Sequence, residues 1–264
     1  MSGDATPVLL VGEPGDVLTS AVEALGRFPR DQPWVLIGGV AVFIRLGSIT
    51  RPTADADTVA RSQAELIQRL VDDEVPSVVA GGKLQVAVGE GLIDIEIDIM
   101  DLADEPLPPD PERQAFALAR RAALASADAE RIIVTNAGGQ VVADAQIPVA
   151  SIAALTALKT VSMVRRPHGN HPEKVGSDIH DLVRLVAAGG ARTVATELTE
   201  MDRDLAKWVG DQIERSFGPD LRYTLLRLRT NDRSPGAQSL DDDAIAATGI
   251  LAAELQEQDS RRAR

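Results

Sequence analysis

The sequence predicts an α+β fold, in which a domain of alternating strands and helices over residues 1–150 precedes a helical domain over residues 151–264. Apolar residues make up 44% of the chain and charged residues 25%, which are ordinary values for a globular protein. Short strand-like runs alternate with helical spacings in the first half, whereas everything beyond Ser151 has helical spacing. The proline-rich stretch "DEPLPPDPE", residues 104–112, marks a linker or boundary.

The first elements are a strand, a helix and a second strand. "PVLLVG" has the composition of a short strand, and Asp16 is placed to cap a helix in "DVLTSAVEALGRF". "PWVLIGG" predicts a strand that ends at paired glycines, after which "VAVFIRLG" forms a short helix.

The following segments predict further strands around a helix. The "DAD" segment can form a strand, and "RSQAELIQRLVDDE" has apolar residues at helical spacing. "KLQVAVG" and "LIDIEIDIM" alternate in polarity and are joined by "EG", which predicts a hairpin. After a helix at about residues 113–126, "RIIVTNAGGQVVADAQIPV" predicts small strands around a Gly-Gly turn.

Composition excludes several classes of protein. The absence of cysteine excludes disulfides and thiolate metal sites, which suits a reducing cytosol. The opening "MSGDATPVLL" lacks the basic and apolar regions of a secretory signal. The longest apolar run, Trp34–Ile44, is shorter than the roughly 20 residues that span a bilayer. We therefore expect a soluble cytoplasmic protein without a membrane partner.

The net charge of −13 is divided unevenly along the chain. Residues 1–110 carry 19 acidic and 7 basic side chains, whereas residues 111–264 carry 21 and 20. Because a uniformly negative surface repels phosphates, the chain is not expected to bind nucleic acid generally. The segment 151–175 is an exception, with a net charge of +3, and it is the best candidate for contacting phosphate.

Asp55 and Asp57 are the first candidate functional residues. Residues two apart on a strand face the same side, about 6 to 7 Å apart, and two carboxylates at that distance repel by about 2 to 3 kcal/mol. A divalent cation such as Mg²⁺ would offset this repulsion and also bind phosphate oxygens. The alternative is an exposed strand end with two solvated aspartates.

Two neighbouring features favour the metal interpretation. Gly38 and Gly39 follow an apolar strand and open a helix, which would bring backbone N–H groups close to an anion, although paired glycines also serve as turn or packing devices. "LIDIEIDIM" places Asp94, Glu96 and Asp98 on one face of another strand, where one of them could complete a two-metal site. An amphipathic strand with a solvated acidic face is the alternative.

Together these residues carry a resemblance. "GGVAVFIRLGSITRPTADAD" resembles the signature of the DNA polymerase beta-like nucleotidyltransferase superfamily, and its GG and R-x-T-x-D-x-D elements resemble the AbiEii type, which includes the MenT-type toxins of toxin–antitoxin pairs. "IPVASIAALTALKTVSMVRRPHGNHPEKVGSDIHDLVRLV" is similar to that family's later block. The sequence departs from the family pattern at Ala56 and Thr58, where relatives usually have large aliphatic residues.

The resemblance implies a mixed-sheet nucleotidyltransferase domain, with the active site in a cleft that the helical domain completes. Asp55, Asp57 and Asp98 would be the catalytic residues and would bind Mg²⁺ or Mn²⁺; Glu96 and Asp94 are alternatives for the third carboxylate. Gly38 and Gly39 would shape the phosphate pocket. The other residues that it places at the nucleotide site are Arg51, Thr53, Lys159, Arg165 or Arg166, Lys174, Asp178 and Asp181.

Considered without the family, the later block allows other roles. Lys159 could extend to solvent, Asp178 could cap a helix, and Asp181 could orient an arginine or lysine. The three histidines have no spacing typical of a zinc site. The arginines of "RYTLLRLRTNDRS" could contact an acceptor RNA or form a solvated helix face.

We expect the reaction to transfer a nucleoside monophosphate from an NTP to a hydroxyl, with release of pyrophosphate. The resemblance suggests a tRNA 3′ end as acceptor and an antitoxin as protein partner. A small molecule or protein hydroxyl is an alternative acceptor. A catalytically inactive binding module with the same fold is an alternative function.

Overall fold

The structure is a computed structural model, and it describes residues 6–49, 53, 55–75, 77–80, 83–88, 93–102, 106–168, 171–232, 234–238 and 240–262. The chain divides into two compact units. The first comprises Met1–Glu105 and Ala123–Ser151, and the second comprises Pro106–Ala122 and Ile152–Arg264. The segment Pro106–Ala122 therefore groups with the helical unit, and the predicted domain boundary after residue 150 stays a prediction.

Within its described residues, the first unit contains a mixed sheet of eight strands. They are β1 (Val8–Val11), β2 (Trp34–Ile37), β3 (Asp55–Ala60), β4 (Ser77–Ala80), β5 (Lys83–Val88), β6 (Ile93–Asp101), β7 (Asp128–Thr135) and β8 (Val141–Val149). Their order across the sheet is β1-β7-β8-β2-β3-β6-β5-β4. The α+β fold is confirmed, as are the β5–β6 and β7–β8 hairpins. Strand β4 was not predicted from the sequence.

Three helices belong wholly to the first unit: α1 (Val17–Gly26), α2 (Gly38–Leu46) and α3 (Gln63–Asp72). The predicted cap of α1 is confirmed, because the Asp16 carboxylate accepts a hydrogen bond from the Thr19 amide at 2.7 Å. The core of this unit includes the fully buried side chains of Leu36, Phe43, Ile44, Ile97, Ile132 and Ile147.

The rest of the chain is helical, as predicted. Its helices are α4 (Pro111–Ala125), α5 (Ile152–Arg165), α6 (Val175–Gly189), α7 (Ala191–Met201), α8 (Arg203–Phe217), α9 (Leu221–Asn231), α10 (Pro235–Gln238) and α11 (Asp242–Arg262). Two short 3₁₀ turns, Arg166–His168 and Pro172–Lys174, join α5 to α6. In the second unit α5 packs on α6, and α11 packs on α6, α7 and α8. Among the described helices, none combines the length and apolar character needed to cross a membrane.

Candidate active site

The junction between β2 and α2 fixes the position of one carboxylate. Gly38 begins α2 with a φ of +72°, in the left-handed region that favours glycine. Its neighbour Ile37 lies opposite Asp57 in the antiparallel β2–β3 pair. A Cβ on Gly38 would lie 2.0 Å from Oδ2 of Asp57. Two features therefore require glycine at position 38: the left-handed backbone conformation and the close approach of the Asp57 carboxylate.

Four carboxylates lie on one face of strands β3 and β6. In the parallel β3–β6 register, Asp55 is opposite Glu96 and Asp57 is opposite Asp98. Because facing residues of paired strands share a side of the sheet, these four side chains form one group, which we call the carboxylate face. All four are half-buried, whereas Ala56, between the two aspartates of β3, is buried.

Two threonines reinforce the backbone of the carboxylate face. The buried Thr58 hydroxyl donates a hydrogen bond to the Asp98 carbonyl at 3.2 Å, which ties β3 to β6 beside the Asp57–Asp98 pair. The Thr53 hydroxyl donates to the Asp55 carbonyl at 3.3 Å. Relatives usually have a large aliphatic residue at the position of Thr58. In this chain the Thr58 hydroxyl instead links the backbones of β3 and β6.

Lys83 is a residue of this face that sequence reasoning missed. It begins β5, and its ammonium group donates to the Glu96 carboxylate. This hydrogen bond raises the pKa of Lys83 above its usual value; burial opposes the increase, and the charges of Glu96, Asp98 and Asp55 add to it. The alternation in "KLQVAVG" could have placed Lys83 on the acidic side of the predicted hairpin.

The carboxylate face has the donor chemistry that Mg²⁺ or Mn²⁺ prefers. Within the described residues, no three carboxylate or imidazole groups are placed to hold a metal ion by themselves. Mg²⁺ is usually bound by one or two carboxylates together with water and substrate phosphates, rather than by an all-protein cage. Asp55 and Asp57 on β3, together with Asp98 opposite Asp57, are therefore suited to bind a cation that is also coordinated by the phosphates of a nucleotide.

The second unit contains a different group of charges. The Lys159 ammonium lies 2.8 Å from an Asp181 oxygen and 3.1 Å from an Asp178 oxygen, and the Arg166 guanidinium pairs with the other oxygen of Asp178. We call these four residues the buried ion cluster. Lys159 is 6% exposed and both aspartates are buried, so the alternative in which Lys159 extends to solvent is wrong.

The arrangement of α6 explains the position of both aspartates. Lys174 is at the N-cap position and Asp178 lies within the first turn, so the alternative in which Asp178 caps the helix is also wrong. The packing of α5 on α6 brings Lys159 to both aspartates of α6. Asp181 does orient a lysine, as one alternative proposed.

The remaining candidates are distributed over both units. Gly39 is buried in the first turn of α2, Lys174 is exposed, and Arg51 lies outside the described residues. Asp94 is opposite Ala87 in the β5–β6 register. On α6, His180 is fully buried with Nδ1 3.2 Å from an Asp232 oxygen, which joins α6 to the end of α9.

The arginines near the C-terminus lie mainly on the surface. On α9, Arg222 and Arg229 are exposed, and the Arg227 guanidinium lies 4.8 Å from the centre of the Tyr223 ring. Arg233 is outside the described residues. This agrees with a solvated helix face, and it leaves a contact with an acceptor RNA as a prediction.

Comparison with known proteins identifies a family that matches most of the chain, and it includes a similar solved structure. Residues 20–262 match the family model described as "Nucleotidyl transferase AbiEii toxin, Type IV TA system". No curated protein matches the chain. The crystal structure of an antigenic nucleotidyltransferase-like protein from Paracoccidioides brasiliensis is similar, with a TM-score of 0.48 and 17% identity over 80% of this chain and 92% of that chain.

Proposed function

Because the chain belongs to the AbiEii family of nucleotidyl transferases, we propose that its carboxylate face transfers a nucleoside monophosphate from an NTP to an acceptor hydroxyl. The matched family is described as nucleotidyl transferases, which supports an enzyme over the alternative of an inactive binding module. The observation that carries the assignment of the site is the β3–β6 register. It sets Asp57 beside Asp98, while Gly38 admits the Asp57 carboxylate at close range.

Asp55, Asp57 and Asp98 are the residues that would hold Mg²⁺ or Mn²⁺. When bound, the cation would neutralise charge on the triphosphate and lower the pKa of the acceptor hydroxyl. Without it, the carboxylates of Asp55 and Asp57 repel each other by about 2 to 3 kcal/mol at an effective dielectric constant near 20. Carboxylates that a fold holds this close together are typical of a site built for a ligand rather than for stability.

We assign proton removal to Asp98. Its carboxylate accepts the proton of the acceptor hydroxyl as the hydroxyl oxygen forms a bond to the α-phosphorus, and the bond from the α-phosphorus to the bridging oxygen breaks as pyrophosphate leaves. Two observations favour Asp98 over Glu96. Asp98 is directly opposite Asp57, whereas Glu96 accepts a hydrogen bond from Lys83.

The nucleotide phosphates require cations and N–H donors. We propose that Gly38 and Gly39, at the N-terminus of α2, face the phosphates, and that Arg51 and Thr53 border the site. The family resemblance is the support for proposing Arg166 and Lys174 as ligands of triphosphate oxygens; the Arg166 side chain is 29% exposed and Lys174 is exposed. The Lys159 ammonium pairs with Asp178 and Asp181, and Asp178 also pairs with Arg166. Lys159 therefore helps to position Arg166 through Asp178.

The acceptor is proposed to be the 3′ end of a tRNA, and the protein partner is proposed to be an antitoxin. The support is the description of the matched family as a toxin of a toxin–antitoxin system. The acidic residues 1–110 would repel an RNA backbone, so RNA contacts are expected on the nearly neutral remainder of the chain. A small-molecule or protein hydroxyl is the competing acceptor.

Label transfer tests both the reaction and the acceptor. The wild-type protein is incubated with each α-labelled NTP, Mg²⁺ or Mn²⁺, and total RNA or lysate, and the labelled product is identified. We expect label on RNA, and its loss when the RNA is first oxidised with periodate to destroy the 3′ hydroxyls. Label on a protein or a small molecule would replace the RNA acceptor, and no label with any NTP would contradict the proposed reaction.

A further inference from the structure

Lys83 is placed to act on the whole carboxylate face rather than on one partner. Gln85 is opposite Glu96 in the β5–β6 register, so Lys83, two residues earlier on β5, has its side chain on the same side of the sheet. Its ammonium group donates to Glu96, and it interacts electrostatically with Asp98 and Asp55. Lys83 is therefore a positive charge held among the carboxylates of β3 and β6.

We propose that Lys83 is a built-in counter-cation that weakens the binding of divalent cations to the carboxylate face when no nucleotide is bound. Two consequences follow from its charge. It offsets the mutual repulsion of the carboxylates in the metal-free protein, and it repels a metal ion that approaches the same oxygens. The inference rests on the proposed function, because it takes Asp55, Asp57 and Asp98 as the metal ligands.

The two consequences predict opposite effects of removing the charge. Lys83→Gln should lower the thermal stability of the metal-free protein, because the carboxylates lose their counter-cation. The same variant should bind a divalent cation more tightly, because the ion no longer meets a positive charge. If Lys83 only linked β5 to β6, its removal would lower the thermal stability without changing the affinity for the cation. The affinity for the cation therefore distinguishes an electrostatic role of Lys83 from a purely structural one.

Calorimetric titration with Mn²⁺ alone, without nucleotide, measures the effect directly. The Lys83 side chain is 39% exposed, so solvent screens its charge and we expect a moderate change. Lys83→Gln should bind Mn²⁺ about tenfold more tightly than the wild type. The metal-free variant should melt about 2 to 4 °C earlier. Lys83→Arg keeps the charge and should keep the wild-type affinity.

Arg131→Gln is the matched control for the loss of one positive charge. Arg131 lies on β7 of the same sheet and pairs with Asp144 on β8 at 2.7 Å, as Lys83 pairs with Glu96. Strands β2 and β3 separate this pair from β6. Arg131→Gln should therefore change the Mn²⁺ affinity by less than about twofold. An equal gain in Arg131→Gln would mean that net charge alone is responsible, and would overturn the role of Lys83.

Two further outcomes separate failure of this inference from failure of the proposed function. If Asp57→Asn loses Mn²⁺ binding but Lys83→Gln binds Mn²⁺ like the wild type, the proposed site stands and the role of Lys83 is wrong. If the wild type binds Mn²⁺ and Asp57→Asn binds it equally well, the metal site is misassigned and both proposals fall. A Lys83→Gln variant with unchanged Mn²⁺ affinity but much weaker NTP binding would make Lys83 a phosphate ligand instead.

Discussion

The carboxylate face and the buried ion cluster each bring four charged side chains together, but the two groups differ in charge balance and in burial. The cluster pairs two cations with two carboxylates, and its two aspartates and its lysine are buried. The carboxylate face has four half-buried carboxylates, and Lys83 contacts the one that belongs to Glu96.

This difference indicates what each group contributes. Buried charges are tolerated when they are paired, and removing one partner leaves an uncompensated charge in the interior. The cluster therefore holds α5, α6 and the Arg166 turn together. The carboxylate face brings four acidic side chains together near solvent, which suits a cationic ligand. We attribute stability chiefly to the cluster and chemistry chiefly to the face.

Substitution of Asp57 should give the largest effect on activity. Asp57→Asn keeps the shape of the side chain but removes a metal ligand, so label transfer should fall by about 1,000-fold or more. The metal-free melting temperature should stay the same or rise slightly, because one repulsive charge is gone. Activity and calorimetry measured on the same preparation check this, and retained activity with lost stability would make the pair structural.

Substitution of Lys159 should give the largest effect on stability. Lys159→Met leaves Asp178 and Asp181 buried without their ammonium partner, and the free energy of unfolding should fall by about 3 to 5 kcal/mol. Lys207→Met is the control, because Lys207 forms an exposed i,i+4 pair with Asp211 at 2.8 Å and should cost under about 0.5 kcal/mol. Equal losses in denaturant unfolding would remove the distinction between the two kinds of ion pair.

The choice of the third carboxylate is tested by a pair of substitutions on β6. Asp98→Asn should lower turnover by about 100-fold or more while NTP binding with Mg²⁺ is retained, since Asp55 and Asp57 still bind the triphosphate metal. Glu96→Gln should have the smaller effect on turnover. If Glu96→Gln proves the less active variant, Glu96 rather than Asp98 is the base.

The smallest effect concerns the position of Asp57 rather than its chemistry. Gly38→Ala should displace the Asp57 carboxylate, because the new Cβ would lie 2.0 Å from Oδ2, and turnover should fall by about 10- to 100-fold. Gly47→Ala is the control: Gly47 has a φ of +62°, and no described atom lies within 4 Å of an added Cβ. The left-handed backbone should cost each variant about 1 kcal/mol of stability, and the clash should add to the loss in Gly38→Ala, but Gly47→Ala should keep its turnover.

The sequence predicted most elements and the residues of both charged groups, but it was the family resemblance, and no local pattern, that grouped Asp98 with Asp55 and Asp57. Period-two and helical spacings marked the strands and helices, and the Asp55–Asp57 spacing indicated a shared face. The proximity of Asp57 to Asp98 depends on a parallel pairing between strands that are about 40 residues apart, which local patterns do not encode. Lys159 likewise meets Asp178 only because α5 packs on α6.

Lys83 and β4 were missed for different reasons. The predicted hairpin allowed Lys83 to lie on the acidic side of the sheet, but its hydrogen bond with Glu96 depends on the exact β5–β6 register, which the sequence did not give. Strand β4, "SVVA", has neither the continuous run of large apolar residues found in β1 and β2 nor a period-two alternation.

Metal-dependent nucleotide binding tests the central claim most directly. A non-hydrolysable NTP is titrated calorimetrically into the wild type and into the double variant Asp55→Asn/Asp57→Asn, each with Mn²⁺ and with EDTA. We predict that Mn²⁺ tightens binding to the wild type by about tenfold or more, and that the double variant loses this gain while it stays folded. A double variant that keeps the full Mn²⁺-dependent gain would show that the carboxylate face is not the metal–nucleotide site.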